Sequence, residues 1–255
     1  MQSNTFSGLF VGQKIITLAS VSSTNDFLKE ELSKSKPLPE GTAIMAEEQT
    51  QGRGQAGNTW LSEPGLNLTA SILLQPQFLS PTDQFWINIV VSNGLCQALQ
   101  AILGPSIKIK WPNDILYNQQ KVAGVLIENV LQGSRWKHSI VGIGVNVNQE
   151  NFPKPLQGVT SLKQILHQAY SKEKLLSEIC GFINQTYTQL RFGKFETLKT
   201  YYLNHLFGKD QKRTYLRQGD EVEGLLRDVE NSGRVLIEFE GRLQAFGFKE
   251  ITFIL

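Results

Sequence analysis

The texture of the chain changes near residue 210. Before that point, segments with helical spacing alternate with short apolar stretches of strand character, and after it only short strands and turns follow. Lys14 to Leu18 reads as a strand, and Ser23-Thr24-Asn25-Asp26 caps a helix running to about Ser33. Lys36-Pro37-Leu38-Pro39-Glu40-Gly41 breaks it. Thr42 to Ala46 and Asn67 to Leu74 read as strands, and Asp83 to Leu103 repeats apolar residues at helical spacing. Ile107 to Lys110, Lys121 to Glu128 and His138 to Asn146 are strands punctuated by Gly and Asn, and helices follow over about Lys172 to Phe192 and Phe195 to Leu206. From Thr214 the strands are short, with Asn231-Ser232-Gly233 as a hairpin turn. The pattern predicts an α+β domain over residues 1–210, then a small β-barrel over residues 211–255 that leans on its neighbour for stability.

Composition narrows the class. With 40% hydrophobic and 19% charged residues in 255, the chain has the makings of a packed globule and excludes a disordered or fibrous one. Twenty-five Lys and Arg against 23 Asp and Glu leave a net charge of +2, too small a bias to imply nucleic acid or an anionic membrane as partner. No apolar run approaches the roughly 20 residues that span a bilayer, and Met1 to Thr5 lacks the basic start of a signal peptide. A cytoplasmic protein is expected. Cys96 and Cys180 fall inside apolar helical patterns, which predicts buried thiols instead of a disulfide or metal pair.

Gly52-Arg53-Gly54-Gln55-Ala56-Gly57 matches G-x-G-x-x-G letter for letter. The dinucleotide version must open a helix, whereas this one leads through the turn-rich Asn58 to Gly65 into a strand, so NAD and FAD are set aside. Glycines that admit backbone N–H groups close to phosphate, with an Arg among them, suit an anion cradle; alone, the segment fits a surface loop equally well. Lys110-Trp111-Pro112-Asn113-Asp114 follows an alternating strand, and Pro112 ends its ladder to present an amide and a carboxylate. That carboxylate suits Mg²⁺ or an amine nucleophile, although Asn-Asp after Pro is more often only a turn. Lys121 heads the apolar strand Lys121-Val122-Ala123-Gly124, where a surface hairpin Lys is the plain alternative, and Gly142-Ile143-Gly144-Val145-Asn146 is a strand whose glycines admit a ligand. There is no Walker loop, no zinc spacing among His138, His167 and His205, and no G-x-S-x-G.

Taken in order, Ser23-Thr24-Asn25, Gln49 through Gly57 with Trp60, Lys110 to Asp114, Lys121 to Gly124 and Gly142 to Asn146 resemble the biotin protein ligases. The resemblance covers roughly residues 15–150, and the C-terminal module fits that family's SH3-like domain more loosely. It implies a mixed-sheet, biotin/lipoate ligase-like catalytic domain, with biotin and ATP as substrates, Mg²⁺, and a biotin carboxyl carrier protein as partner. The implied reaction makes biotinyl-5′-AMP and then moves biotin to a carrier Lys. Ser23, Thr24, Asn25 and Gln49 would meet the ureido head of biotin, and Gly52, Arg53, Gly54, Gln55, Lys121 and Gly124 complete the implied biotin site. Arg53, Trp60, Lys121 and Asn146 would hold the nucleotide. Lys121 and Arg53 would offset charge on the α-phosphate, and Asp114 would serve the incoming amine, with Mg²⁺ near it as the other role.

Only 22 residues precede Ser23, fewer than a DNA-binding domain needs, so no repressor function is expected, and with the small net charge no DNA or membrane partner is expected either. The family's loop often reads Gly-Arg-Gly-Arg, whereas position 55 is Gln. Lipoate or octanoate transfer on a related fold, and nucleic-acid binding by the C-terminal barrel, are the competing readings. A homodimer is left open.

Overall fold

The computed structural model describes residues 10–36, 38–133, 135–153, 156 and 158–254. The readings made at residues 1–5 and at Pro37 lie outside them. The chain runs β1 (Ile15–Val21), α1 (Thr24–Leu32), β2 (Ala43–Gln49), β3 (Leu68–Leu74), α2 (Phe85–Leu103), β4 (Ile107–Lys110), β5 (Asp114–Tyr117), β6 (Gln120–Gln132) and β7 (Arg135–Val145). It continues with α3 (Leu162–Leu166), α4 (Lys172–Arg191), α5 (Phe195–His205), β8 (Lys212–Arg217), β9 (Asp220–Val229), β10 (Val235–Phe239), β11 (Arg242–Phe246) and β12 (Thr252–Phe253).

Seven strands form one mixed sheet in the order β1-β2-β3-β7-β6-β5-β4. Only β1 and β2 pair in parallel; every other pair in it is antiparallel. The central β3, Leu-Thr-Ala-Ser-Ile-Leu-Leu, is buried along its whole length because both faces of the sheet are covered. Alternation sends Leu68, Ala70, Ile72 and Leu74 into the main core, which they share with Ile87, Val91 and Leu95 of α2 and Ile179 and Ile183 of α4. The opposite face carries α1, which lays Leu28 on Ile44, Leu73 and Ile140. It also carries Thr69, Ser71, Gly142 and Gly144, and these polar and glycine positions leave room for a cavity beside α1. The remaining strands make a second sheet in the order β11-β10-β9-β8-β12, so the chain is α+β with a small C-terminal β module.

Three departures from the sequence reading have clear causes. The segment after Pro112 turns at once into β5, because Lys110 and Asp114 pair across a three-residue turn and four residues carry too little periodicity to read. Ser161 caps the short α3 through a capping box with Gln164, a Ser-x-x-Gln signature visible in the sequence but attached to no long apolar run. Helix α2 with its leading turn, Pro81–Leu103, does reach membrane-spanning length and hydropathy by composition, and its apolar surface is taken up by the core. Both cysteines are free and buried.

Candidate functional site

A cavity of about 370 Å³ opens on the α1 side of the large sheet, within the range of small-molecule sites. Its first wall is the start of α1. Ser23 takes the N-cap position without making a side-chain capping bond. The backbone N–H of Thr24 donates to Gln49 Oε1 at 2.8 Å, and Thr24 Oγ1 lies 3.0 Å from the same oxygen. Ser71 Oγ stands 2.6 Å from both Thr24 Oγ1 and Asn25 Oδ1. Two hydroxyl hydrogens thus serve three short contacts, and Asn25 Oδ1, which can only accept, draws the Ser71 proton. A Cβ at residue 142 would sit 2.7 Å from Asn25 Oδ1, so glycine there lets the Asn25 amide lie against β7.

The glycine loop forms the roof. Arg53 bridges to Thr59, and Trp60 donates its backbone N–H to Gly52 O at 3.0 Å. The Trp60 indole lies on Gly144, where a Cβ would approach it to 2.4 Å, and indole Nε1 is buried without a hydrogen-bond partner. Arg53 is tied down. Its guanidinium donates to Glu128 at 3.1 and 2.9 Å and to Asp26 at 2.6 Å, while the side chain stays 37% exposed and lines the cavity. Glu128 also accepts from Lys29 at 2.7 Å and from Asn25 Nδ2 at 2.8 Å. Burial pushes the Glu128 carboxyl up, but these bonds outweigh it and hold it below its ordinary value.

The third wall is the β4–β5 hairpin with the head of β6. Asp114 and Lys121 form an ion pair at 2.6 Å. Gly124 lies opposite Asp114, and a Cβ there would stand 3.2 Å from Lys121 Nζ, so the Lys-x-x-Gly spacing leaves the ammonium its place. Lys121 Nζ also lies 5.7 Å from the Trp60 ring centroid. Lys110 lines the same cavity, and burial pushes its ammonium pKa down. The fourth wall comes from the C-terminal module, where Phe248, Lys249, Ile251, Thr252 and Phe253 reach the cavity and Phe253 stacks on Trp111 at 6.1 Å.

Ser23, Thr24, Asn25, Gln49, Arg53, Gly54, Gln55, Trp60, Asp114, Lys121 and Gly124 therefore share one cavity. Gly52 and Asn146 do not line it. Gly52 is where the loop limbs cross, since a Cβ there would meet Trp60 O at 2.4 Å. Asn146 sits behind Lys121 and donates to Thr160 O at 3.0 Å, stapling the ends of β6 and β7 to the chain before α3. The sequence reading missed Asp26, Glu128 and the C-terminal wall. Asp26 and Glu128 close the quoted segments but only the tertiary structure brings them to Arg53. Among the described residues no group of three or more His, Cys, Asp and Glu side chains is placed to hold a metal ion, and Asp114 is engaged by Lys121.

Residues 17–146 match the model of the Biotin/lipoate A/B protein ligase family. Over 232 residues the chain is 29% identical to the "Bifunctional ligase/repressor BirA" of Bacillus spizizenii, covering 89% of this chain and 70% of that protein. It is 38% identical over 133 residues to the "Biotin--[acetyl-CoA-carboxylase] ligase" of Paracoccus denitrificans, covering 51% and 53% of the two chains. The solved biotin protein ligase of Aquifex aeolicus in complex with biotin and ATP superposes with a TM-score of 0.78 at 27% identity, over 94% of this chain and 98% of that one.

Proposed function

The chain belongs to the Biotin/lipoate A/B protein ligase family, and from that premise we propose that it is a biotin protein ligase that activates biotin as biotinyl-5′-AMP and transfers it to a Lys of a biotin carboxyl carrier protein. The observation that carries the reading is convergence: five sequence segments spread between Ser23 and Gly144 meet around one cavity that is polar at the α1 end and cationic at the hairpin end. Biotin has a matching polarity, with a compact ureido head and a carboxylate at the far end of an apolar chain. The Thr24, Gln49 and Ser71 network supplies directed donors and acceptors for the head.

In the first half-reaction a biotin carboxylate oxygen bonds to the α-phosphorus of MgATP and pyrophosphate leaves. Two anions must meet, so a fixed cation is the chief requirement. Lys121 meets it, because Gly124 gives it room and Asp114 holds it in place at 2.6 Å. The Trp60 ring, which lines the cavity, offers a stacking surface for adenine. Magnesium would be carried by the nucleotide phosphates and would offset their charge, since the described residues include no cluster of three or more His, Cys, Asp and Glu side chains to hold it. In the second half-reaction the carrier amine attacks the acyl carbon, loses a proton and expels AMP. Asp114, at the cavity side of the hairpin, is the carboxylate positioned to orient that amine.

The test is to incubate the protein with biotin, MgATP and a carrier domain and measure the intact mass of the carrier. One biotinyl group on one Lys is expected. Activation of lipoate or octanoate in place of biotin would overturn the substrate assignment.

A further inference from the structure

From Gln51 to Thr59 the chain carries one charged side chain, Arg53. The loop limbs are joined to each other by Gly54 N–H donating to Asn58 O at 2.6 Å and by the Arg53–Thr59 bridge, so the loop behaves as one small piece. Its charged grip on the body of the protein lies in the Arg53 guanidinium, which is forked on Glu128 of β6 and reaches Asp26 of α1. With Lys29 on the same two carboxylates the cluster has two positive and two negative charges and is neutral. Arg53 is thus committed to the protein, and its fork-on-carboxylate geometry is a directional, charge-assisted one. The same Glu128 carboxylate accepts from Asn25 Nδ2 and thereby turns Asn25 Oδ1 toward Ser71 on the cavity wall.

We propose that Glu128 is a positioning residue: one carboxylate clamps the glycine loop through Arg53 and, with Leu126 O, sets the Asn25 amide beneath it, so that roof and wall of the biotin subsite share one group. The inference deepens the reading of the cavity as a biotin site. Family loops with a second Arg have a further charge with which to hold the loop; here position 55 is Gln, and among the described residues the loop's ion pairs are those of Arg53 with Glu128 and Asp26.

The test is amide hydrogen exchange on the unliganded full chain for the parent, Glu128→Gln, Arg53→Met and the double variant, with biotin kinetics alongside. Loss of the charged partner should speed exchange of residues 53–59 by about tenfold. Exchange in β3 stays unchanged. Adding Arg53→Met to Glu128→Gln brings less acceleration than Arg53→Met brings to the parent, because the two changes share the fork and only the Asp26 contact is left to lose. Glu128→Gln should raise the KM for biotin about tenfold while kcat at saturating biotin stays within about threefold. Loop exchange that is unchanged, or that rises equally in β3, overturns the clamp; faster loop exchange with an unaltered biotin KM overturns the positioning role. A parent loop that biotin does not protect counts against the biotin reading, while the unliganded exchange still decides the clamp.

Discussion

Lys121 and Asp114 meet because β5 and β6 pair antiparallel with a register shift between Ile115 and Leu116, and because Gly124 has no side chain to fill the space above it. Under the proposed function the pair would divide the chemistry. Loss of a preorganised cation at a reacting phosphate typically costs on the order of 10²–10³ in rate, so Lys121→Ala should lower adenylate formation by about that factor, read as biotin-dependent pyrophosphate release. Asp114→Asn retains shape and removes the charge that would orient the carrier amine. Supplied with preformed biotinyl-AMP, this variant should transfer about tenfold more slowly, and a transfer rate equal to the parent's would assign the carboxylate to the first step. Arg53 shows how far a single residue escapes sequence reading. Its place in a glycine loop suggests a cation at the cavity, which it lines, but not the three hydrogen bonds that tie it to Glu128 and Asp26.

At the scale of elements, the site depends on how closely the helices back the sheet. Gly94 of α2 faces α4 so tightly that a Cβ would lie 2.9 Å from the backbone N and Cα of Ile183. Alanine is the better helix former by roughly 0.5–1 kcal/mol, but overpacking against backbone costs about 1–3 kcal/mol. The clash wins. Gly94→Ala should therefore lower unfolding free energy by about 1–2 kcal/mol, measured by urea denaturation, with the midpoint falling and the slope unchanged. A more stable variant would show that α4 can move away freely. The glycines of β7 serve the cavity instead, since Gly142 and Gly144 lie on the other face of the sheet, where Asn25 and Trp60 rest against bare backbone.

Across the whole molecule, the C-terminal module is part of the site. Phe253 stacks on Trp111 and meets Tyr215 edge-on at 5.2 Å, and Trp111 Nε1 donates to Gly233 O at 3.0 Å. Truncating a buried aromatic of this kind costs about 3 kcal/mol. Phe253→Ala should thus lower stability by that amount and, because Phe253 also lines the cavity, raise the KM for ATP while the protein remains folded in the assay. An unaltered KM would confine the module to a supporting part.

Local signals were legible where one segment contains its own physical reason. The helical spacing of α2, the break at 36–41, the Asn-Ser-Gly turn and the glycines of the loop and of β7 follow from backbone freedom and periodicity within a few residues. The family and most of the residues of the cavity wall came instead from the resemblance carried by the five ordered motifs. Tertiary structure alone decided which charges neighbour which. Asp26, Arg53 and Glu128 meet across 102 residues because α1 lies on the face of the sheet that β6 shares with the loop. Phe248, Ile251 and Phe253 reach the cavity because the C-terminal module docks on Trp111. Periodicity reports which face of an element is apolar; it holds no information on which distant side chain will stand opposite, and electrostatic pairing depends on that distance.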